Sequence, residues 1–160
     1  MRTSVCIALT LLYAQVLSGS TDTMEVHVTV IDTSELSVDI VDIPIIDILS
    51  IPDGQLFVSE TDSSSTYTYS TNTANKKITA VLDSEMPFLT TLEIALAASA
   101  GKGVSTGTQL LSASPVDTVT SIDAGSQETG QVITYTFTVL LGADPFEALG
   151  RTVTLSLVDE

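Results

Sequence analysis

From Ile133 the chain alternates, with Ile133, Tyr135, Phe137, Val139 and Leu141 on one parity and Thr134, Thr136, Thr138 and Leu140 on the other. The pattern returns after Arg151, where Val153, Leu155 and Leu157 are interleaved with Thr152, Thr154 and Ser156. Side chains along a strand point alternately to opposite faces, so each run has one apolar face and one hydroxyl face. Strands of that kind cover a core on one side and stay wet on the other.

The same period recurs upstream. Met24, Val26, Val28 and Val30 alternate with Glu25, His27, Thr29 and Ile31, and Asp32-Thr33-Ser34 breaks the run. Leu36, Val38 and Ile40 follow, and the parity then flips at Ile40-Val41, Ile45-Ile46 and Ile48-Leu49. Such flips mark β-bulges or a change of sheet, and Pro44 lacks a backbone donor. Residues 38–51 therefore read as a strand that switches sheets, or as two short strands. Pro52-Asp53-Gly54 is a turn signal. Residues 56–58 read as a short strand, 61–65 as a polar loop, and Tyr67 and Tyr69 as one face of the next strand. Ile78, Ala80 and Leu82 mark another strand, between turns at 71–75 and 83–87. Residues 90–100 fit two patterns. Leu92, Ile94 and Leu96 alternate as in a strand, while Thr90 with Glu93 forms a capping box that Gly101 could end as a helix. The strand patterns on either side favour strand. Residues 101–108 read as a loop, 110–111 and 116–122 as short apolar segments, and 123–127 as a turn into a long strand opening at Gln131. Pro145 and Phe146 are expected to pack down the 142–150 connection. About eight to ten short strands separated by turns predict an all-β, antiparallel, immunoglobulin-like sandwich.

The N-terminus reads differently. Arg2, an apolar run from Ser4 to Leu17 and the small residues Ser18-Gly19-Ser20 have the order of a secretory signal. The run is shorter than the roughly 20 residues a membrane-spanning helix needs. The expected organisation is a signal peptide at 1–20, an N-terminal strand and linker at 21–34, and the sandwich at 35–160. The only cysteine, Cys6, lies in the signal. The exported part then has no disulfide, thiol nucleophile or thiolate ligand, and it must be held by packing and hydrogen bonds. With no membrane span, sorting motif or lipobox cysteine in view, the chain is expected outside the cell, free or held by partners.

All 20 acidic residues follow the signal, against Lys76, Lys77, Lys102 and Arg151; 20 minus 4 is 16 negative charges. Residues 21–75 carry ten acids and no basic residue. Such a surface repels phosphate backbones, so no nucleic-acid partner is expected. It suits solubility, or a layer of exchangeable Ca²⁺ or Na⁺ between packed subunits. Catalytic equipment is sparse. His27 is the only histidine and lies on the polar side of its strand. Gly103-Val104-Ser105-Thr106-Gly107 has the Gly-x-Ser-x-Gly spacing, but it falls in a stretch read as a loop with no helix pattern after it, unlike a nucleophile elbow, and with no Trp a sugar site would rest on few aromatics. The chain is therefore expected not to be an enzyme. Asp39, Asp42, Asp47 and Asp53 are oxygen ligands of the kind Ca²⁺ prefers, with Glu60 and Asp62 a weaker pair. Equally, these acids guard an apolar stretch against aggregation. Tyr67 and Tyr69 form a ligand platform if exposed and core if they point inward. Lys76-Lys77 reads as a charged turn.

The strand at 24–31 stands apart behind its polar break. Met24, Val26, Val28 and Val30 are spaced to fill the groove of a neighbour's open edge, where main-chain bonds supply affinity and alternate side chains set register. Donated head to tail, such a strand makes a filament. As an ordinary first strand it pairs within its own domain. In layout (signal, N-terminal strand, cysteine-free Thr-rich sandwich) the chain loosely resembles prokaryotic surface-fibre, pilin-like subunits assembled by donor-strand complementation. That resemblance implies a homopolymer built by strand exchange. The chain lacks the disulfide common in chaperone–usher pilins and carries no site residues over from them. The alternative expectation is a secreted sandwich module binding a glycan or a protein, with Ca²⁺ as a possible cofactor.

Overall fold

A computed structural model describes Thr29 and residues 31–39, 51–144 and 150–160. The chain divides into two units, Met1–Val30 and Ile31–Glu160. The candidate donor positions Met24, Val26, Val28 and Val30, together with His27, Asp42, Asp47, Pro145 and Phe146, lie outside the described residues.

The second unit is all-β. Its described residues form nine strands: β1 (Ser34–Asp39), β2 (Phe57–Thr71), β3 (Lys76–Leu82), β4 (Thr90–Leu96), β5 (Val104–Ser105), β6 (Gln109–Leu110), β7 (Val116–Ile122), β8 (Gln127–Leu140) and β9 (Val153–Asp159). They make two antiparallel sheets, ordered β1-β2-β8-β4-β6 and β5-β7-β3-β9, packed as a sandwich. Of the ambiguous 90–100 segment, Thr90–Leu96 is strand, because β4 is held between β8 and β6.

Alternation explains the core. In β3, Ile78, Ala80 and Leu82 point inward and are buried, while Lys77, Thr79 and Val81 stay partly wet. Across the layers they meet Tyr67, Tyr69, Ile94, Leu96 and Ile133. The Tyr67 and Tyr69 rings stack with centroids 6.2 Å apart. A buried phenol needs a partner for its hydroxyl. Tyr67 donates to the Ala97 carbonyl and Tyr69 to the Lys102 carbonyl.

Two expectations are corrected by bulges. Residues 56–58 are not an isolated short strand and 61–65 are not a loop: β2 runs unbroken from Phe57 to Thr71. Asp62 pairs with Tyr135 and Ser65 with Ile133, so Ser63 and Ser64 both stand opposite Thr134. The extra residue is held locally, since the Ser64 amide and hydroxyl both donate to Asp62 Oδ1, at 3.1 and 2.9 Å. It flips the parity: Val58, Glu60 and Asp62 point inward before it, and Ser65, Tyr67, Tyr69 and Thr71 after it. The long strand β8 likewise opens at Gln127 and not at Gln131. Thr129 and Gly130 stand opposite Thr68, and Gly130 takes the φ of +64° that such a bulge favours in glycine. The 101–108 stretch, read as a loop, contains β5, which pairs with Thr120 and Val119 of β7.

Candidate interaction edge

One side of the sandwich is closed by β1 from the first sheet and β9 from the second, and these two edge strands pack together. Their inward residues are apolar: Leu36 and Val38 on β1, and Val153, Leu155 and Leu157 on β9. Packed against the core, Leu36 and the three β9 residues remain only half-buried, and Val38 is 39 % exposed. A seam of apolar side chains thus opens between the two edges.

Among the described residues nothing pairs with the outer backbone of this seam. Sheet edges are normally blunted by Pro, Lys, bulges or extreme shortness, because their unpaired amides and carbonyls template another strand. β9 pairs with β3 in unbroken register from Leu82↔Val153 to Lys76↔Asp159 and contains no Pro and no Lys. Among the described residues no strand pairs with its other side. β1 carries Glu35 and Asp39 on its outward face and otherwise resembles β9 in this respect.

The ends of the seam are tied down. Lys76, on β3, is buried to 8 % exposure and reaches Asp159 at 2.7 Å and Asp32 at 4.0 Å. The hydrogen bond to Asp159 is the main reason its pKa lies above the ordinary lysine value. The chain enters β1 over Asn72. The Thr33 amide donates to Asn72 Oδ1 at 2.8 Å, and Asn72 Nδ2 donates to the Ile31 carbonyl at 2.7 Å. The segment that precedes β1 is therefore fixed at residues 31–33, directly beside the seam.

Tyr67 and Tyr69 are not a ligand platform. Both rings are buried, at 0 % and 1 % exposure, because the bulge at Ser63-Ser64 turns their parity inward. Burial, then the charge of Glu128, pushes the Tyr69 hydroxyl up to about 12. Burial, then Tyr69 and Glu128, raises Tyr67 as well. Asp39 sits on the outward face of β1 and Asp53 in the turn that the Gln55 amide closes on the Pro52 carbonyl; both are exposed. Among the described residues no group of three or more His, Cys, Asp or Glu side chains comes together to hold a metal. Lys76 is not simply a charged turn residue, since it anchors the β9 terminus. No signal in the sequence marks Lys76 over Lys77, because the two differ only in parity. A shallow, open depression is lined by Gln55, Leu56, Phe57, Val58 and Ser59, none of them titratable. No described helix is long and apolar enough to cross a membrane.

Compared with protein-family models, with curated proteins and with solved structures, the chain finds no match.

Proposed function

We propose that this protein is a structural subunit of an extracellular surface fibre, polymerising by addition of a strand from one subunit to the open edge of the next. The observation that carries the reading is the unblunted apolar seam between β1 and β9. A donated strand there would gain main-chain hydrogen bonds along one edge and cover half-exposed apolar side chains between the layers. The donor in this reading is residues 24–30, with Met24, Val26, Val28 and Val30 facing the seam. Asn72 pins the chain at residues 31–33, so the donor starts from a fixed point at the sandwich margin. In a pilin-like assembly of this kind the sandwich has immunoglobulin-like architecture, the chain is secreted and displayed at the cell surface, and the partner is a second copy of itself. Both tyrosines are buried, so a glycan would not stack on them, while Phe57 and Phe88 stay exposed.

The test is electron microscopy of the protein from its native cell surface and culture medium, beside a variant lacking residues 21–30. Regular filaments with the full chain, absent from the variant, are expected. A synthetic peptide of residues 24–31 should then bind the folded variant saturably. Filaments that persist in the variant, or only dispersed particles with the full chain, overturn the reading.

A further inference from the structure

Among the described residues Glu128 is the one acid that the fold buries deeply, at 6 % exposure. It lies on the inward face of β8, paired with Tyr69 of β2. Its Oε2 accepts a hydrogen bond from the Ser99 hydroxyl at 3.1 Å. Its Oε1 is buried and has no hydrogen-bond partner among the described residues. No basic side chain compensates it there either, since the ion pairs formed among those residues belong to Lys76 and Lys77. A water molecule would satisfy a lone pair on Oε1 but not its charge. Removing a carboxylate from water without a counter-charge costs far more than removing a neutral polar group.

The side-chain hydrogen bonds that tie this spot together run between oxygens. The loop from Ala97 to Gly103 crosses this spot, bringing the Ser99 hydroxyl to Glu128, the Lys102 carbonyl to the Tyr69 hydroxyl and the Ala97 carbonyl to the Tyr67 hydroxyl. Each of those carbonyls has a second lone pair to offer. The loop cannot drift away. The Lys102 amide closes a turn on the Ser99 carbonyl at 3.1 Å. Gly103 lies so close to the core that a Cβ there would stand 2.8 Å from Val119 Cγ1, at a φ of +128°.

We propose that Glu128 is the charged ligand of a hard cation held between β8 and the 97–103 loop, with the Ser99 hydroxyl and the loop carbonyls as its neutral oxygen partners. Calcium and sodium share the required chemistry. One carboxylate among neutral oxygens places a calcium site at the weak end, about 10⁻⁴–10⁻³ M, where extracellular modules operate. The site is independent of the strand-addition reading and would serve a monomer equally well. It also differs from a layer of surface counter-ions, because its ligand is buried.

The experiment is thermal unfolding of the full chain in CaCl₂ or NaCl series at constant ionic strength set with choline chloride, beside Glu128→Gln and the surface control Glu35→Gln. A bound cation raises the midpoint by mass action, about 3–6 °C at ten times its dissociation constant. That rise is expected in the wild type and in Glu35→Gln and is lost in Glu128→Gln. A response to calcium but not sodium identifies a divalent site, and the reverse a monovalent one. Tb³⁺ luminescence supplies a second readout on the folded wild type alone. Tyr69 and Tyr67 sit beside the site and the chain has no Trp, so tyrosine-sensitised emission that calcium competes away is expected for a divalent site. Equal midpoints in all salts, or a salt response that Glu128→Gln retains, overturns the proposal.

Discussion

β2 and β8 are the two longest strands, and their two ends differ. From Ser65 to Thr71 the inward row of β2 is buried, over Ile133 and Glu128 of β8. From Phe57 to Asp62 the inward row is half-buried or exposed, as are Tyr135, Phe137 and Val139 opposite. Both ends alternate and both pair with β8, the covered end across the bulge at Gly130. The difference lies in which polar groups the inward row carries. Ser65, Tyr67, Tyr69 and Thr71 are neutral, and both phenols reach loop carbonyls. Glu60 and Asp62 are charged, and covering that end would strand two carboxylates without partners. Alternation thus sets which face turns inward, and in β2 the deeper burial goes with the neutral inward row, Glu128 of β8 being the buried acid at that end.

The contrast is broken most severely at the bulge that separates the two ends. Deleting Ser64 removes the extra residue opposite Thr134, so one end must turn its inward row to solvent. Cooperative thermal unfolding followed by circular dichroism should be lost, whereas Ser64→Ala, which keeps the residue count, should shift the midpoint only slightly. The next largest effect comes from truncating one ring at each end. Tyr69→Ala removes a fully buried side chain and should cost about 3–5 kcal/mol in urea unfolding. Tyr135→Ala, on the half-buried inward row of the open end, should cost less, about 1–2 kcal/mol. Equal costs would show that the two ends are packed alike.

Much of this is legible in the chain itself. The inward parity of Ile78, Ala80 and Leu82 and the shared face of Tyr67 and Tyr69 follow from a period of two, whereas Thr90–Leu96 also fits a capped helix and is favoured as strand only by the strands on either side. The bulges do not. Thr61-Asp62-Ser63-Ser64-Ser65 has the composition of a loop, and only pairing with β8 makes it strand. Glu128 beside Thr129-Gly130 looks like the exit of a turn, so its burial is invisible until the bulge at Gly130 brings it opposite Tyr69. The β1–β9 seam joins residues more than a hundred positions apart, and no local pattern announces that they meet.

Alkaline pH acts on both ends. All three tyrosines of the sandwich have raised hydroxyl pKa values: Tyr67 and Tyr69 at the covered end, and Tyr135 at the open end through burial and then Asp62. The unfolded chain loses these protons near the usual value of about 10, while the folded chain keeps them. The stabilisation they reflect is therefore complete below about pH 10 and is lost as pH rises toward the folded values, about 12 for Tyr69. The raised Lys76 has the same sign. Urea midpoints measured from pH 8 to 12 should hold level and then fall, with tyrosinate absorbance appearing together with unfolding. Tyr69→Phe should flatten the fall. A stability that is level to pH 12, or tyrosinate formed in the folded chain, contradicts the burial of the covered end.

The smallest effect is at the open end, where the strands need another means of holding together. On the outward face, Ser59 meets Thr138 at 2.7 Å, Thr61 meets Thr136 at 3.3 Å and Ser63 meets Thr134 at 3.1 Å. This hydroxyl ladder spans the same rows whose inward side is poorly covered. A cross-strand hydroxyl pair contributes roughly 0.2–1 kcal/mol, and replacing both partners with apolar groups is close to neutral. A double-mutant cycle of Ser59→Ala and Thr138→Val should therefore give a coupling in that range and leave the global midpoint nearly unchanged. Local opening is the more sensitive readout, because the less buried end of a strand pair is expected to open at lower free energy than the core. Amide exchange at Val58, Ser59 and Glu60 should quicken in the double variant, while exchange at Tyr67 and Tyr69 stays at its wild-type rate. Quickening at both ends alike would mean that β2 and β8 separate as one unit, and that the bulge does not insulate the covered end from the open one.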